Sequence, residues 1–154
     1  MRIGGYIAIL HRHSRAFYAP RLAAHGLPGP ALPILLHVLR KPGLNQDDIS
    51  RRAFVDKTLV SRVLGELERA GFVSRTVDSG DTRIKRVHPT GRAHELRPVL
   101  EGWLDEWNEI LRTDLSDEEQ EMAANLLRRM SETARSQVDA DGNRCAPRGD
   151  DDAP

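Results

Sequence analysis

Residues 45–73, NQDDISRRAFVDKTLVSRVLGELERAGFV, contain the start and stop signals of two consecutive short helices. Asn45 is a good N-cap for the first of them, which we expect to run to about Ala53. Asp56 is the N-cap of the second, which the sequence predicts over residues 57–70 and which ends before glycine, the residue best suited to the left-handed turn after a helix. Two short capped helices in succession predict a helix-turn-helix.

The second of these helices has two different faces. Its apolar residues recur at helical spacing on one side, at Val60, Val63, Leu64 and Leu67. Thr58, Ser61 and Arg62 lie on the other side, with Lys57 and Leu59 beside them. An ordinary surface helix would also turn a polar face to water. Small polar and basic side chains are, however, what a recognition helix places in the major groove, where Arg62 suits guanine and Leu59 suits a thymine methyl group.

A charged hairpin follows the two helices. The sequence predicts strands over residues 72–77 and 84–88, joined by a turn at residues 78–81. Four cations flank this turn, namely Arg75, Arg83, Lys85 and Arg86. Such a cluster suits phosphates or the narrow minor groove, and we expect Asp81 to orient the guanidinium of Arg83. Helices followed by this hairpin predict a mainly α fold, a winged helix-turn-helix with a small β-hairpin wing.

Long outer helices are predicted at both ends of the chain. Their apolar residues exceed what so small a domain can cover, and they comprise Ile7, Leu10, Phe17, Trp103, Leu104, Trp107, Leu111, Leu126, Leu127 and Met130. Packing onto their own core is the alternative, but we expect N- and C-terminal dimerisation helices. The predicted organisation is an N-terminal dimerisation helix (1–27), a DNA-binding domain (28–89), C-terminal dimerisation helices (90–138) and a disordered tail (139–154).

The charge of the chain is unevenly distributed along its 154 residues. The net charge is zero, but residues 1–92 carry 16 Lys and Arg against 7 Asp and Glu, a net charge of +9. Residues 93–154 carry 7 against 16, a net charge of −9. A basic half suits a polyanionic partner. The longest uncharged apolar run, residues 26–39, is too short to cross a bilayer, and no signal peptide is evident, so we expect a cytoplasmic protein without a membrane partner.

The sequence resembles the multiple antibiotic resistance regulator (MarR) family over roughly residues 16–135. The stretches that carry the resemblance are residues 43–46, 55–62, 67–73, 81–83 and 89–91. The resemblance implies a homodimer that binds a pseudo-palindromic operator in double-stranded DNA, often under the control of a small-molecule effector. It also implies that Thr58, Ser61 and Arg62 face the groove.

The wing matches the same family at its tip. Arg83 corresponds to the wing-tip arginine, and Asp81 corresponds to that arginine's partner. Two positions depart from the family pattern. Leu59 replaces a small polar residue, which leaves the base contact there open, and Pro89 takes a position usually held by leucine.

A cleft between the DNA-binding lobe and the dimer helices is the expected place for an effector. Its candidate lining residues are His13, Phe17, His37, Trp103 and Trp107, and the alternative is that all five belong to the core. No histidine, cysteine or carboxylate group shows zinc spacing. No phosphate-cradling glycine loop or catalytic triad is readable, and the single cysteine, at position 145, excludes an internal disulfide. We therefore expect a protein that is not an enzyme and needs no metal or cofactor.

Two functions from different classes fit these observations. The first is a dimeric, sequence-specific DNA-binding regulator, most simply a repressor. The second is a protein-interaction module that uses a winged-helix fold without reading DNA, with its acidic helical half as the working surface. The basic wing beside a polar recognition face favours the first, because an interaction module has no need for Arg83 at the turn.

Overall fold

The computed structural model describes residues 2–140 of the chain, as six helices and one antiparallel hairpin. The elements are α1 (Ile3–Ala24), α2 (Ala31–Arg40), α3 (Gln46–Ala53), α4 (Lys57–Arg69), β1 (Val73–Val77), β2 (Lys85–Pro89), α5 (Gly91–Arg112) and α6 (Asp117–Ala140). This order confirms the predicted mainly α winged helix-turn-helix.

Local signals set the two short helices as the sequence predicted. The Asn45 side chain accepts a hydrogen bond from the Asp48 backbone N–H at 2.8 Å, and the Asp56 side chain accepts one from Leu59 N–H at 2.9 Å. Gly71 has a φ of +76°, as expected for the residue that follows a helix in the left-handed conformation. These caps satisfy backbone donors that would otherwise lack a partner in the first turn.

Smaller features differ from the sequence prediction. Pro30 occupies the N-cap position just before α2. Proline inside a helix usually kinks or ends it, but α1 continues through Pro20 to Ala24. A proline removes one backbone hydrogen bond, and the packing of Leu22, which is buried in the core, offsets part of that loss. Phe72 lies outside the strand, because its backbone N–H donates to the Leu67 carbonyl at 2.9 Å in the turn that ends α4.

The hydrophobic core lies where α2, α3, α4, the hairpin and the start of α5 meet. Leu35 of α2 and Leu67 of α4 are fully buried there, as is Leu100 of α5. The hairpin is tied to the segment after α2 by an antiparallel bridge between Leu44 and Val87. This bridge positions the wing beside the helix-turn-helix.

The chain divides into two compact units between Asn108 and Glu109, within α5. The first unit contains the winged helix and α1. In the second, α6 starts at a complete capping box, in which Ser116 and Glu119 bond each other's backbone N–H groups. Because α6 extends to Ala140, it includes the first two residues of the predicted tail, and the remainder of that tail lies outside the described residues.

Candidate DNA-binding surface

Helix α4 has the two faces that the sequence predicted. Its four core residues are buried, whereas Thr58, Ser61 and Arg62 are exposed, as is Lys57 at the helix start. Leu59 is half-buried and packs against the core. Its side chain is therefore shared between the core and the surface, which leaves less of it available to a thymine methyl group.

Contacts from α3 fix the start of α4. The Gln46 side chain donates to the Lys57 carbonyl at 3.0 Å, and the Lys57 ammonium lies 3.0 Å from an oxygen of Asp47. Within the turn, the buried Ser50 hydroxyl donates to the Val55 carbonyl at 2.6 Å. The N-terminal ends of the two helices are thus joined by polar contacts, which hold the exposed face of α4 at a fixed angle to α3.

Two carboxylates of this surface were not among the predicted site residues. The carboxylate of Glu66 lies 3.7 Å from the guanidinium of Arg62, which precedes it by one helical turn. The other carboxylate is that of Asp47, which pairs with Lys57. The spacing of four residues between Arg62 and Glu66 is a local signal that predicts such a pair. No comparable signal in the sequence joins Asp47 to Lys57, which come together only because α3 and α4 pack.

The wing is organised around the carboxylate of Asp78. This carboxylate accepts hydrogen bonds from the Arg86 guanidinium at 2.5 Å and from the backbone N–H groups of Gly80 and Asp81 at 2.8 and 3.1 Å. The bond from Arg86, followed by the two backbone bonds, lowers the pKa of Asp78. Arg86 also donates to the Gly43 carbonyl at 3.3 Å. Arg86 is therefore engaged with the protein on two sides.

The other predicted wing residues divide into tied and free cations. Arg75 is only 20% exposed, and its Nε lies 3.3 Å from Glu68 without hydrogen-bond geometry. Arg83 and Lys85 are exposed, and neither pairs with a carboxylate within residues 2–137, whose side chains the structure describes. The Asp81 carboxylate bonds the backbone N–H of Arg83 at 3.0 Å, where we had expected it to orient the guanidinium. The wing tip thus presents two unpaired positive charges.

A polar groove of about 390 Å³ separates the wing from the start of α3. It is lined by Asn45, Gln46, Asp47, Leu64, Arg75, Arg83, Ile84, Lys85 and Val87. The groove brings three predicted wing cations to the same surface as the start of α3. Charged groups on an exposed surface next to a helix with a polar outer face are suited to contact a nucleic-acid backbone.

The single chain places the five predicted effector residues in different surroundings, and the cleft expected in a dimer stays a prediction. Phe17 and Trp107 meet, with ring centroids 5.3 Å apart, whereas Trp103 contacts the ring of His25 at 5.4 Å. His13 is exposed on α1. Phe17 and Trp107 are thus the predicted pair whose rings the structure brings into contact.

His37 has a different environment, on α2. It is half-buried, and its pKa is lowered by this burial and then by the positive charges of Arg40 and Arg52. Arg52 belongs to α3, so His37 lies where α2 and α3 pack. It is therefore placed to affect the stability of the helix-turn-helix.

Three polar or aromatic neighbours of Phe17 and Trp107 were missed by the sequence prediction. Tyr18 lies 6.3 Å from Trp107 between ring centroids, and Arg21 stacks 3.7 Å above the Phe17 ring. Arg21 also pairs with Glu106 at 2.7 Å. The pKa of Tyr18 is raised, mainly because the side chain is partly buried. The spacing of four between Phe17 and Arg21 is the one signal that pointed to this group.

Membrane spans and metal sites were sought in the same residues. No helix within residues 2–140 combines the length and apolar character needed to cross a membrane. In that part of the chain, no group of three or more histidine, cysteine or acidic side chains is arranged to hold a metal ion.

Comparison with known proteins agrees with this geometry. The model of the MarR family matches residues 25–84, which contain both helices of the helix-turn-helix and the first part of the wing. A solved MarR transcriptional regulator from Methanosarcina mazei superimposes with a TM-score of 0.81 at 28% identity, over 87% of this chain and 96% of that one. These matches confirm the resemblance to the MarR family.

Curated MarR-like regulators are similar along much of the chain. The transcriptional regulator HosA of Escherichia coli is 29% identical over 71% of this chain and 83% of its own length. The uncharacterized HTH-type transcriptional regulator YybA of Bacillus subtilis is 27% identical over 62% of this chain, which spans 64% of that relative. These similarities support the coarse assignment of the chain as a DNA-binding transcriptional regulator.

Proposed function

We propose that this MarR-like chain is a homodimeric, ligand-responsive repressor that binds a pseudo-palindromic operator. Helix α4, with its caps over residues 56–70, would enter the major groove, and the wing, residues 72–88, would contact the minor groove. The observation that carries the proposal is the pairing of a two-faced α4 with a wing in which the side chains of Arg83 and Lys85 form no ion pair within residues 2–137.

The proposal divides the contacts into two kinds. Arg62 is exposed on the outer face of α4, where a guanidinium reaches base edges and forms two parallel hydrogen bonds to guanine. Arg83 and Lys85 at the wing tip suit phosphates and the narrow minor groove. Sequence recognition therefore rests on α4, whereas the wing supplies affinity that depends on charge.

The exposed apolar side chains of α1 support a dimer. Ile3, Tyr6, Ile7 and Leu10 are all at least two-fifths exposed on the single chain. They recur every three or four residues and so form one face of the helix. The second unit has an apolar face of its own, since Met122, Leu126 and Leu127 of α6 are also exposed. A second copy of the chain would bury both faces, and a dimer bound across a promoter would block polymerase.

An aromatic group of the first unit supports the response to a ligand. The rings of Phe17, Tyr18 and Trp107 gather beside the ion pair of Arg21 and Glu106. Rings next to a charged pair suit a small molecule that has both apolar and polar parts. The PcaV regulator of Streptomyces coelicolor, which shares the fold with a TM-score of 0.77 at 20% identity, has been solved with its natural ligand.

The test is selection of duplexes from a pool of random sequences by the full-length protein. We expect enrichment of an inverted repeat whose half-site centres lie about 10 base pairs apart, which corresponds to one turn of DNA. Sedimentation should show a dimer at micromolar concentration, and Ile7→Glu with Leu10→Glu should give a folded monomer, because both residues are exposed on one chain. The proposal is wrong if the protein enriches no sequence, or if it binds a single half-site as a monomer.

A further inference from the structure

Glu66 stands one helical turn after Arg62 on the recognition helix. Its Oε1 lies 3.7 Å from Nη1 of Arg62. The Glu66 side chain is 31% exposed, and the Arg62 side chain is 63% exposed. The carboxylate is therefore the more covered partner, and it lies behind a guanidinium that extends further into solvent. The separation is longer than a hydrogen bond but short enough for attraction between the charges.

The shape of the guanidinium lets it serve two partners at once. Arginine has five N–H donors in a rigid plane, and only two of them are used in a bidentate contact with guanine. A further donor is then free to bond a carboxylate on the protein. An exposed ion pair of this kind adds little to stability by itself, so its main effect is on the direction and charge of Arg62.

We propose that Glu66 is a positioning residue for base recognition. It holds Arg62 by one N–H donor while two others contact guanine, and it offsets the charge of Arg62 so that random DNA gains little attraction from it. The inference rests on the proposed function, because it requires Arg62 to face a base.

Asp47 provides a matched comparison on the same surface. It lies 3.0 Å from Lys57, an ammonium group that has no planar set of donors to be oriented. Removing the Asp47 charge should therefore strengthen attraction to phosphates in any sequence. A second control is the ion pair of Arg97 and Glu101 on α5, which has the same spacing of four residues and lies outside the α4 and wing surface.

The experiment measures affinity by fluorescence anisotropy on the selected operator and on a random duplex, over a series of salt concentrations. Asp47→Asn should raise both affinities by the same factor, and Glu101→Gln should change neither. Glu66→Gln should raise random binding but not operator binding, so that the ratio of the two falls about fivefold. The double-mutant cycle with Arg62→Ala should show coupling on the operator and none on the random duplex.

A second variant separates charge from position. Glu66→Asp keeps the charge but shortens the side chain, so we expect random binding to stay constant while operator binding falls. If Glu66→Gln raises both affinities equally, as Asp47→Asn does, Glu66 is only a general electrostatic group and the proposal is wrong. If Arg62→Ala weakens both duplexes equally, base recognition by Arg62 is itself wrong, and the role of Glu66 is rejected along with it.

Discussion

Arg86 donates a hydrogen bond to the carboxylate of Asp78 at 2.5 Å, which ties the second strand of the wing to the turn that precedes it. The same carboxylate bonds two backbone N–H groups of that turn, and Arg86 reaches the carbonyl of Gly43 outside the hairpin. A two-stranded hairpin is only marginally stable alone. The pair therefore holds the wing in shape and anchors it to the rest of the first unit.

Asp78→Ala should loosen the wing without unfolding the core. The change removes the acceptor of three hydrogen bonds, and all three donors, on Gly80, Asp81 and Arg86, belong to the wing. Amide hydrogen exchange should become faster at Gly80 and Asp81 while it stays slow in α4. Asp105→Ala, on an exposed position of α5, is the control, and unchanged exchange at the turn would contradict this role.

Low pH should break the hydrogen bond between Asp78 and Arg86. The pKa of Asp78 is lowered chiefly by the hydrogen bond from Arg86, so the ionised form is favoured in the folded wing. Its contribution is present above the ordinary pKa of 3.8 and is lost as the pH falls through the lower folded value. Protection at the turn, meaning the exchange rate relative to that of the unstructured chain at the same pH, should therefore be constant near neutral pH and should fall only in strong acid, a dependence that Asp78→Ala abolishes.

Lys85 and Arg86 should differ in their effect on the salt dependence of DNA binding, although the sequence placed both on phosphates. Lys85→Ala removes an unpaired cation and should reduce the slope of log affinity against log salt by about one per subunit. Arg86→Ala removes a charge that Asp78 already offsets, so its slope should change less while exchange in the wing rises. Anisotropy titrations at several salt concentrations, with Arg128→Ala on α6 as control, measure both. Equal slopes for the two variants would contradict the distinction.

Protonation of His37 should destabilise the helix-turn-helix. Burial lowers the pKa of His37 below its ordinary value of 6.5, and the nearby Arg40 and Arg52 lower it further. The unfolded chain therefore takes up the proton first, so the free energy of unfolding should fall as the pH drops from about 7.5 to 5. Urea titrations at these pH values should show the fall in the native protein and a smaller one in His37→Gln. His94→Gln, at an exposed position, should retain the native dependence.

The backbone conformation of Phe54 should lower the free energy of unfolding, and its exposed ring should add little to that free energy. It has a φ of +52°, in the left-handed region, and 76% of its surface is exposed. Phe54→Gly should be more stable than Phe54→Ala by about 1 kcal/mol, because glycine adopts this conformation without strain. Thermal unfolding of the two variants measures the difference. If alanine were equal to glycine, the left-handed conformation would not hold in solution.

Local chemistry in the sequence determined the elements of this protein. Asn45 and Asp56 cap the helices that they were expected to cap, and Gly71 takes the left-handed conformation after α4. These features depend on residues at most four positions apart, so they are readable without a fold. The same holds for the two faces of α4, because helical periodicity alone separates Val60 from Ser61.

Only the tertiary structure decided which charged side chains of the site are paired. Asp47 meets Lys57, and Arg86 meets the carbonyl of Gly43, across 10 and 43 positions of sequence. The bridge between Leu44 and Val87 that anchors the wing is of the same kind. Such contacts depend on how the elements pack, which is set by the burial of the whole core and not by any local pattern. The sequence therefore identified the cations of the site, and the packing of the helices and hairpin determined which of them the protein holds and which it leaves free.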